Sequence, residues 1–133
     1  MKENEKYIVE KLSYRFSDPA RGDFVILKSP SNPEVEFVKR VIGLPLEKIR
    51  LAGGQVYIDN LKLDESAYLQ PNTRTDPQAF FKENQELAIP ENHFFVMGDN
   101  RSASSDSRNF GPISKKDIIG KVTLRFWPIS TAP

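Results

Sequence analysis

Short apolar runs, each broken by proline, glycine or a polar turn, form the dominant pattern along this chain. Val, Ile, Phe and Tyr fill the runs, and ten prolines and seven glycines punctuate them, which favours strands over helices. Strands are predicted over residues 7–11, 24–28, 35–43, 47–51, 55–59, 61–63, 87–89, 93–97 and 121–127. Ala52-Gly53-Gly54 and Asp59-Asn60 are suited to the tight turns between neighbouring runs. Residues 64–86 turn polar, with Asn72, Pro71 and Pro77, and read as an excursion carrying one short helix near 79–83. Ser114, with Asp117 three residues later, signals a second helix start that Gly120 ends. The pattern predicts one domain over residues 1–133. Its class is mainly β, as antiparallel sheets or a partly open barrel with one or two short helices.

Composition narrows the chemistry. The 133 residues carry 19 Lys and Arg against 18 Asp and Glu, so a net charge of +1 gives no reason to expect nucleic acid as a partner. Without cysteine there is no disulfide framework, thiolate metal site or Cys nucleophile, and a single histidine, His93, excludes a multi-His zinc site. No metal and no cofactor are expected. No apolar run approaches the ~20 residues of a membrane span, and the charged start leads into no signal-peptide segment. As given, the chain reads as soluble, and its oligomeric state is not legible.

Function must therefore lie in local constellations. The apolar run 94–97 stops at Gly98 and gives way to a loop holding Asp99, Arg101, Asp106, Arg108 and four serines. A polar loop hanging from a buried strand is a common place for a site. The second constellation is the strand 35–43. Side chains alternate between faces, so Phe37, Lys39 and Val41 share one face while Val38, Arg40 and Ile42 share the other. If both faces are covered, Arg40 needs a carboxylate, because it cannot lose its proton. Lys39 can respond to desolvation by becoming a neutral amine, as a general base requires. If the strand lies at a surface, both cations point to water.

Residues 21–27, 37–45 and 97–101, the last with Ser104, Asp106, Ser107 and Arg108, resemble three successive sequence boxes of bacterial type I signal peptidases, and the similarity runs from about Tyr7 to Trp127. These are membrane-bound Ser/Lys endopeptidases that remove signal peptides from exported preproteins. The resemblance implies their mainly β fold, with Lys39 as general base and Ser104 as the hydroxyl that orients its amine. It also implies that Arg40 with Asp99, and Asp106 with Arg108, give structural support, and that Phe37 and Val38 line the substrate pockets. At Leu46-Glu47 the family usually has Gly-Asp, which puts the geometry of that turn in question.

The family's nucleophile is the Ser of a Ser-Met-x-Pro box that follows one or two transmembrane helices, and no such box occurs here. The resemblance places that serine upstream of Met1, which implies a catalytic domain lacking its anchor and nucleophile and inactive alone. In the whole enzyme the domain would stand on the extracytoplasmic side of the bacterial cytoplasmic membrane, with preprotein signal peptides as partners. The competing reading is a non-catalytic homologue that binds peptides or serves assembly. Retention of Lys39 and Ser104 argues against it.

Overall fold

The computed structural model describes residues 5–10 and 18–126. Its strands are β1 (Glu5–Glu10), β2 (Phe24–Lys28), β3 (Glu36–Gly43), β4 (Lys48–Ala52), β5 (Gln55–Ile58), β6 (Leu61–Lys62), β7 (Glu86–Ala88), β8 (His93–Met97), β9 (Ile113–Ser114) and β10 (Ile118–Phe126). One sheet has the order β1-β10-β2-β3-β8-β9 and a second the order β6-β5-β4-β7, with antiparallel pairing throughout both. The expected mainly β, antiparallel class is therefore what the chain adopts.

The unbroken apolar run of β8 has a direct structural cause, because apolar cores cover it on both faces. Phe95 and Met97 pack with Ile42 of β3 and with Ile49, Leu51, Val56 and Ile58 of the second sheet. Phe94 and Val96 point the other way, to Val25, Leu27, Val41, Ile113 and Ile118. A strand buried on both sides cannot alternate apolar with polar.

β3 changes character along its length. It begins exposed, with Val38 54% accessible, and ends with Val41 and Ile42 fully buried. Its neighbours explain the gradient. β2 pairs with Glu36 through Arg40, whereas β8 joins the other edge only from Arg40 onward. Among the described strands, Glu36 to Lys39 therefore have a partner on one edge only. Lys39 and Arg40 stand where the open half of the strand meets the covered half.

Two helix expectations need correction. Residues 79–83 form no helix: the backbone N–H groups of Phe80 and Phe81 both donate to the carbonyl of Arg108, and Glu83 bridges to Leu51. Phe81 is fully buried in the core between the sheets, so packing overrides a weak local propensity. Ser114 does cap a helical turn, accepting from the Lys116 N–H, but that turn is a 3-10 turn spanning only Lys115–Asp117. Ile118 and Ile119 already belong to β10, with Ile118 paired to Leu27, as suits β-branched residues. Among the described residues the one α-helical turn, α1 (Ser107–Phe110), lies instead inside the polar loop. The expected strand residues 11 and 127 lie outside the described residues.

The Leu46-Glu47 turn forms with a leucine at a left-handed position. Leu46 adopts a positive φ of 71° and is 73% exposed, a conformation that glycine tolerates without steric cost. Glu47 steadies the turn by accepting the Leu44 N–H at 2.8 Å and both guanidinium branches of Arg21 at 2.7 Å. Leu46→Gly is expected to stabilise the fold by roughly 0.5–1 kcal/mol, and Leu46→Val to destabilise it. Chemical denaturation of the two variants checks the opposite signs.

Candidate active site

The loop after β8 is built around a buried carboxylate. Asp106 is wholly inaccessible and Arg108 nearly so. Asp106 Oδ1 accepts from Arg108 Nε at 2.9 Å and from the Arg108 backbone N–H at 3.1 Å. Its Oδ2 accepts from Arg108 Nη2 at 2.8 Å, from the Gly98 N–H at 3.0 Å and from Ser104 Oγ at 2.9 Å. The same residue caps α1. A buried ion pair of this kind is held by satisfying every lone pair.

Ser104 connects this carboxylate to β3. The Lys39 Nζ donates to Ser104 Oγ at 3.0 Å, and Ser104 Oγ in turn donates a hydrogen bond to Asp106 Oδ2. The hydroxyl thus accepts from the amine with a fixed lone pair. Gly98 makes the approach possible, since a Cβ there would collide with Ser104 Oγ, lie 2.7 Å from Ser104 Cβ and stand 3.5 Å from Lys39 Nζ.

The environment of Lys39 favours its neutral form. Burial pushes the pKa of the amine below its ordinary value; the attraction of Asp106 works against this, and the repulsion of Arg108 adds to it. Phe37, two residues earlier on the same face, places its ring 5.1 Å from Nζ and stacks on Phe110 of α1 at 6.4 Å. On the opposite face Arg40 has the carboxylate that a largely covered guanidinium requires. Its Nε and Nη2 donate to the two oxygens of Asp99 at 2.9 and 2.8 Å, and Nη1 donates to the Gly22 carbonyl at 2.9 Å. The rings of Phe24 and Tyr68 sandwich it, each 4.1 Å from the guanidinium carbon. Of the residues singled out in the sequence, Lys39, Ser104, Asp106 and Arg108 meet on one side of β3 and Arg40 with Asp99 on the other. Val38 stands apart, exposed on the open half of the strand.

The polar excursion is part of this construction, which its composition concealed. Arg101, with a side chain wholly inaccessible, turns away from the loop's own acids. Its Nη1 and Nη2 donate to Glu65 at 3.1 and 2.7 Å, and Nη1 also donates to Thr75 Oγ1 at 2.8 Å. Tyr68 donates its phenol proton to Glu65 at 2.9 Å, and burial, with Glu65 beside it, pushes that phenol's pKa well up. Arg108 Nη1 reaches the Asp76 carbonyl at 3.1 Å. One signal in the sequence could have revealed Glu65: three arginines, Arg40, Arg101 and Arg108, face only two carboxylates in the loop.

The sequence profile of the signal peptidase family, peptidase S26, matches residues 1–127. Signal peptidase I of Leptolyngbya laminosa is 38% identical over 136 residues, covering 96% of this chain and 62% of that protein. Signal peptidase IB of Staphylococcus aureus strain Mu50 is 34% identical over 144 residues, covering 98% and 72%. A crystal structure of a signal peptidase I from Enterococcus faecalis V583 superimposes with a TM-score of 0.63 at 29% identity, covering 79% of this chain and 97% of that one. The chain spans 56% to 66% of the length of the Leptolyngbya protein and two probable signal peptidases I from Synechocystis.

Two outcomes follow from the charges. Lys39 binds a proton less readily folded than unfolded, so its penalty is fully present below the folded pKa and disappears as pH rises toward the unfolded value. Lys39→Met is expected to raise stability at neutral pH and to flatten the gain otherwise seen up to about pH 10.5, as denaturation series across pH will show. Glu65→Ala leaves the inaccessible Arg101 guanidinium without its carboxylate and is expected to cost about 3–5 kcal/mol, measurable by the same method.

Proposed function

Since the chain belongs to the signal peptidase family, peptidase S26, we propose that it carries the general base of a Ser/Lys endopeptidase that removes signal peptides from exported preproteins. The observation that supports this most directly is Lys39: a desolvated amine with a lowered pKa, aimed by Ser104, on a strand whose adjoining edge is open among the described strands. An extended peptide can add to such an edge, its backbone pairing with Glu36 to Lys39 and its side chains meeting Phe37 and Val38.

The chemistry needs a nucleophile as well. Ser104 is poorly suited, because its hydroxyl donates a hydrogen bond to Asp106 and its lone pair receives one from Lys39. Among the described serines no other is hydrogen-bonded to Nζ. In our reading a serine from outside the described residues attacks the scissile carbonyl while its proton passes to the neutral Lys39 amine. The ammonium then gives that proton to the leaving amine, and the free amine takes one from the water that cleaves the acyl ester. Hydrogen bonding to Ser104 orients the amine, so its lone pair is available to the nucleophile. We place the site on the extracytoplasmic face of the membrane, held there by a segment other than the described ones, in which no helix is long and apolar enough to cross.

The retained base favours this over a peptide-binding homologue without activity. The test is cleavage of a signal-peptide-bearing preprotein by the product of the complete reading frame. Lys39→Met is expected to lower kcat/KM by at least ~10³-fold and Ser104→Ala by about 10–100-fold, and the acid limb of the pH profile should follow the Lys39 pKa. Peptide binding without cleavage by the unaltered protein would establish the other reading.

A further inference from the structure

The excursion reaches the catalytic loop at one further point. Gln78 Nε2 donates to the backbone carbonyl of Ser104 at 2.6 Å, while the backbone N–H of Gln78 is held by the Phe81 carbonyl at 3.2 Å. Its other amide atom, Oε1, is buried and has no hydrogen-bond partner. The bond gives the amide its orientation, since a flipped amide would set its oxygen against the Ser104 carbonyl. An acceptor buried without a donor is a liability that folds rarely carry. Here it accompanies the bond that holds the main chain of Ser104.

We propose that Gln78 is a positioning residue for Lys39, acting through Ser104: by holding the Ser104 carbonyl it fixes where the Ser104 hydroxyl meets the amine. Two anchors then locate that serine from opposite ends, Asp106 on its hydroxyl and Gln78 on its carbonyl. Gly98 leaves no slack between them, for a methyl group there would already strike the Ser104 side chain. Asp106 is local, two residues away, whereas Gln78 comes from 26 residues upstream. The excursion is thereby a clamp on the base, and its sequence can tune that base without entering the substrate groove. The proposal rests on reading Lys39 as the general base.

The test uses Gln78→Met, close in shape to glutamine but lacking both the donor and the unpartnered acceptor. Its first readout needs no protease activity: the pKa of Lys39 in this chain, followed by NMR of the lysine side chain. The charged groups acting on the amine are Asp106 and Arg108 of the loop, Arg40 neighbours it on the same strand, and β2 faces it with Val25; the substitution removes none of them. Freed from its carbonyl anchor, Ser104 should admit water, and the Lys39 pKa should move up toward its ordinary value. In the protein from the complete reading frame, kcat should fall about tenfold with KM unchanged and the acid limb displaced to higher pH, while thermal stability is kept. An unchanged Lys39 pKa, or a kcat that falls only in step with stability, overturns the proposal. Gln78→Leu is the second variant, and failure of both to fold would also overturn it, since the amide would then be holding the fold. If Lys39→Met leaves cleavage intact, the assigned function fails, whereas the Lys39 titration still decides what Gln78 does.

Discussion

Asp106 is a wholly buried carboxylate, and most of the site is arranged to satisfy it. Five hydrogen bonds converge on its two oxygens, from Gly98, Ser104 and three donors of Arg108. Removing one partner from such a pair costs several kcal/mol, so the loop has little freedom to adopt another shape. Ser104 is held in place because it is one of those partners, and Lys39 is oriented because Ser104 is held. A structural demand of the loop therefore sets the direction of a side chain on a neighbouring strand.

Charge pairing around β3 then divides the cations into two kinds. Arg40, Arg101 and Arg108 each have a carboxylate, in Asp99, Glu65 and Asp106 respectively. Lys39, standing among them, is bonded to a hydroxyl rather than to an acid. A guanidinium keeps its proton wherever it is put, whereas an amine deprived of water and of a close counter-ion binds its proton less tightly. The division of Arg and Lys follows that difference. Of these four cations, each guanidinium is paired with a carboxylate and the amine is left with a hydroxyl.

Much of this was legible in the sequence, for identifiable physical reasons. β2 and β8 were placed to the residue because a run such as Phe24 to Leu27, or Phe94 to Met97, leaves few alternatives to a buried strand. The need of Arg40 for a carboxylate followed from its fixed charge, and the polar loop stood out by contrast with the strand before it. Other features depend on partners far along the chain. Ala79 to Glu83 looked helical because nothing local shows that the Phe80 and Phe81 N–H groups will be taken by Arg108. Glu65, Tyr68, Thr75 and Gln78 do not stand out within a segment read as a polar excursion, because their partners in the loop lie 26 or more residues away, or are reached through Arg40 and Arg101. Composition reports what a segment is made of, and the excursion's role comes from what it touches.

The contact between Lys39 and Ser104 closes 65 residues of chain, and that between Arg40 and Asp99 closes 59. Closures of this length carry an entropic cost that local contacts do not, and they set a slow tempo for assembly. Until they form, nothing desolvates the Lys39 amine, and it titrates like any lysine on an unfolded chain. The lowered basicity of this side chain is thus a property of the folded chain, absent when the chain is unfolded. An unfolded chain carries the residues of the site without their arrangement.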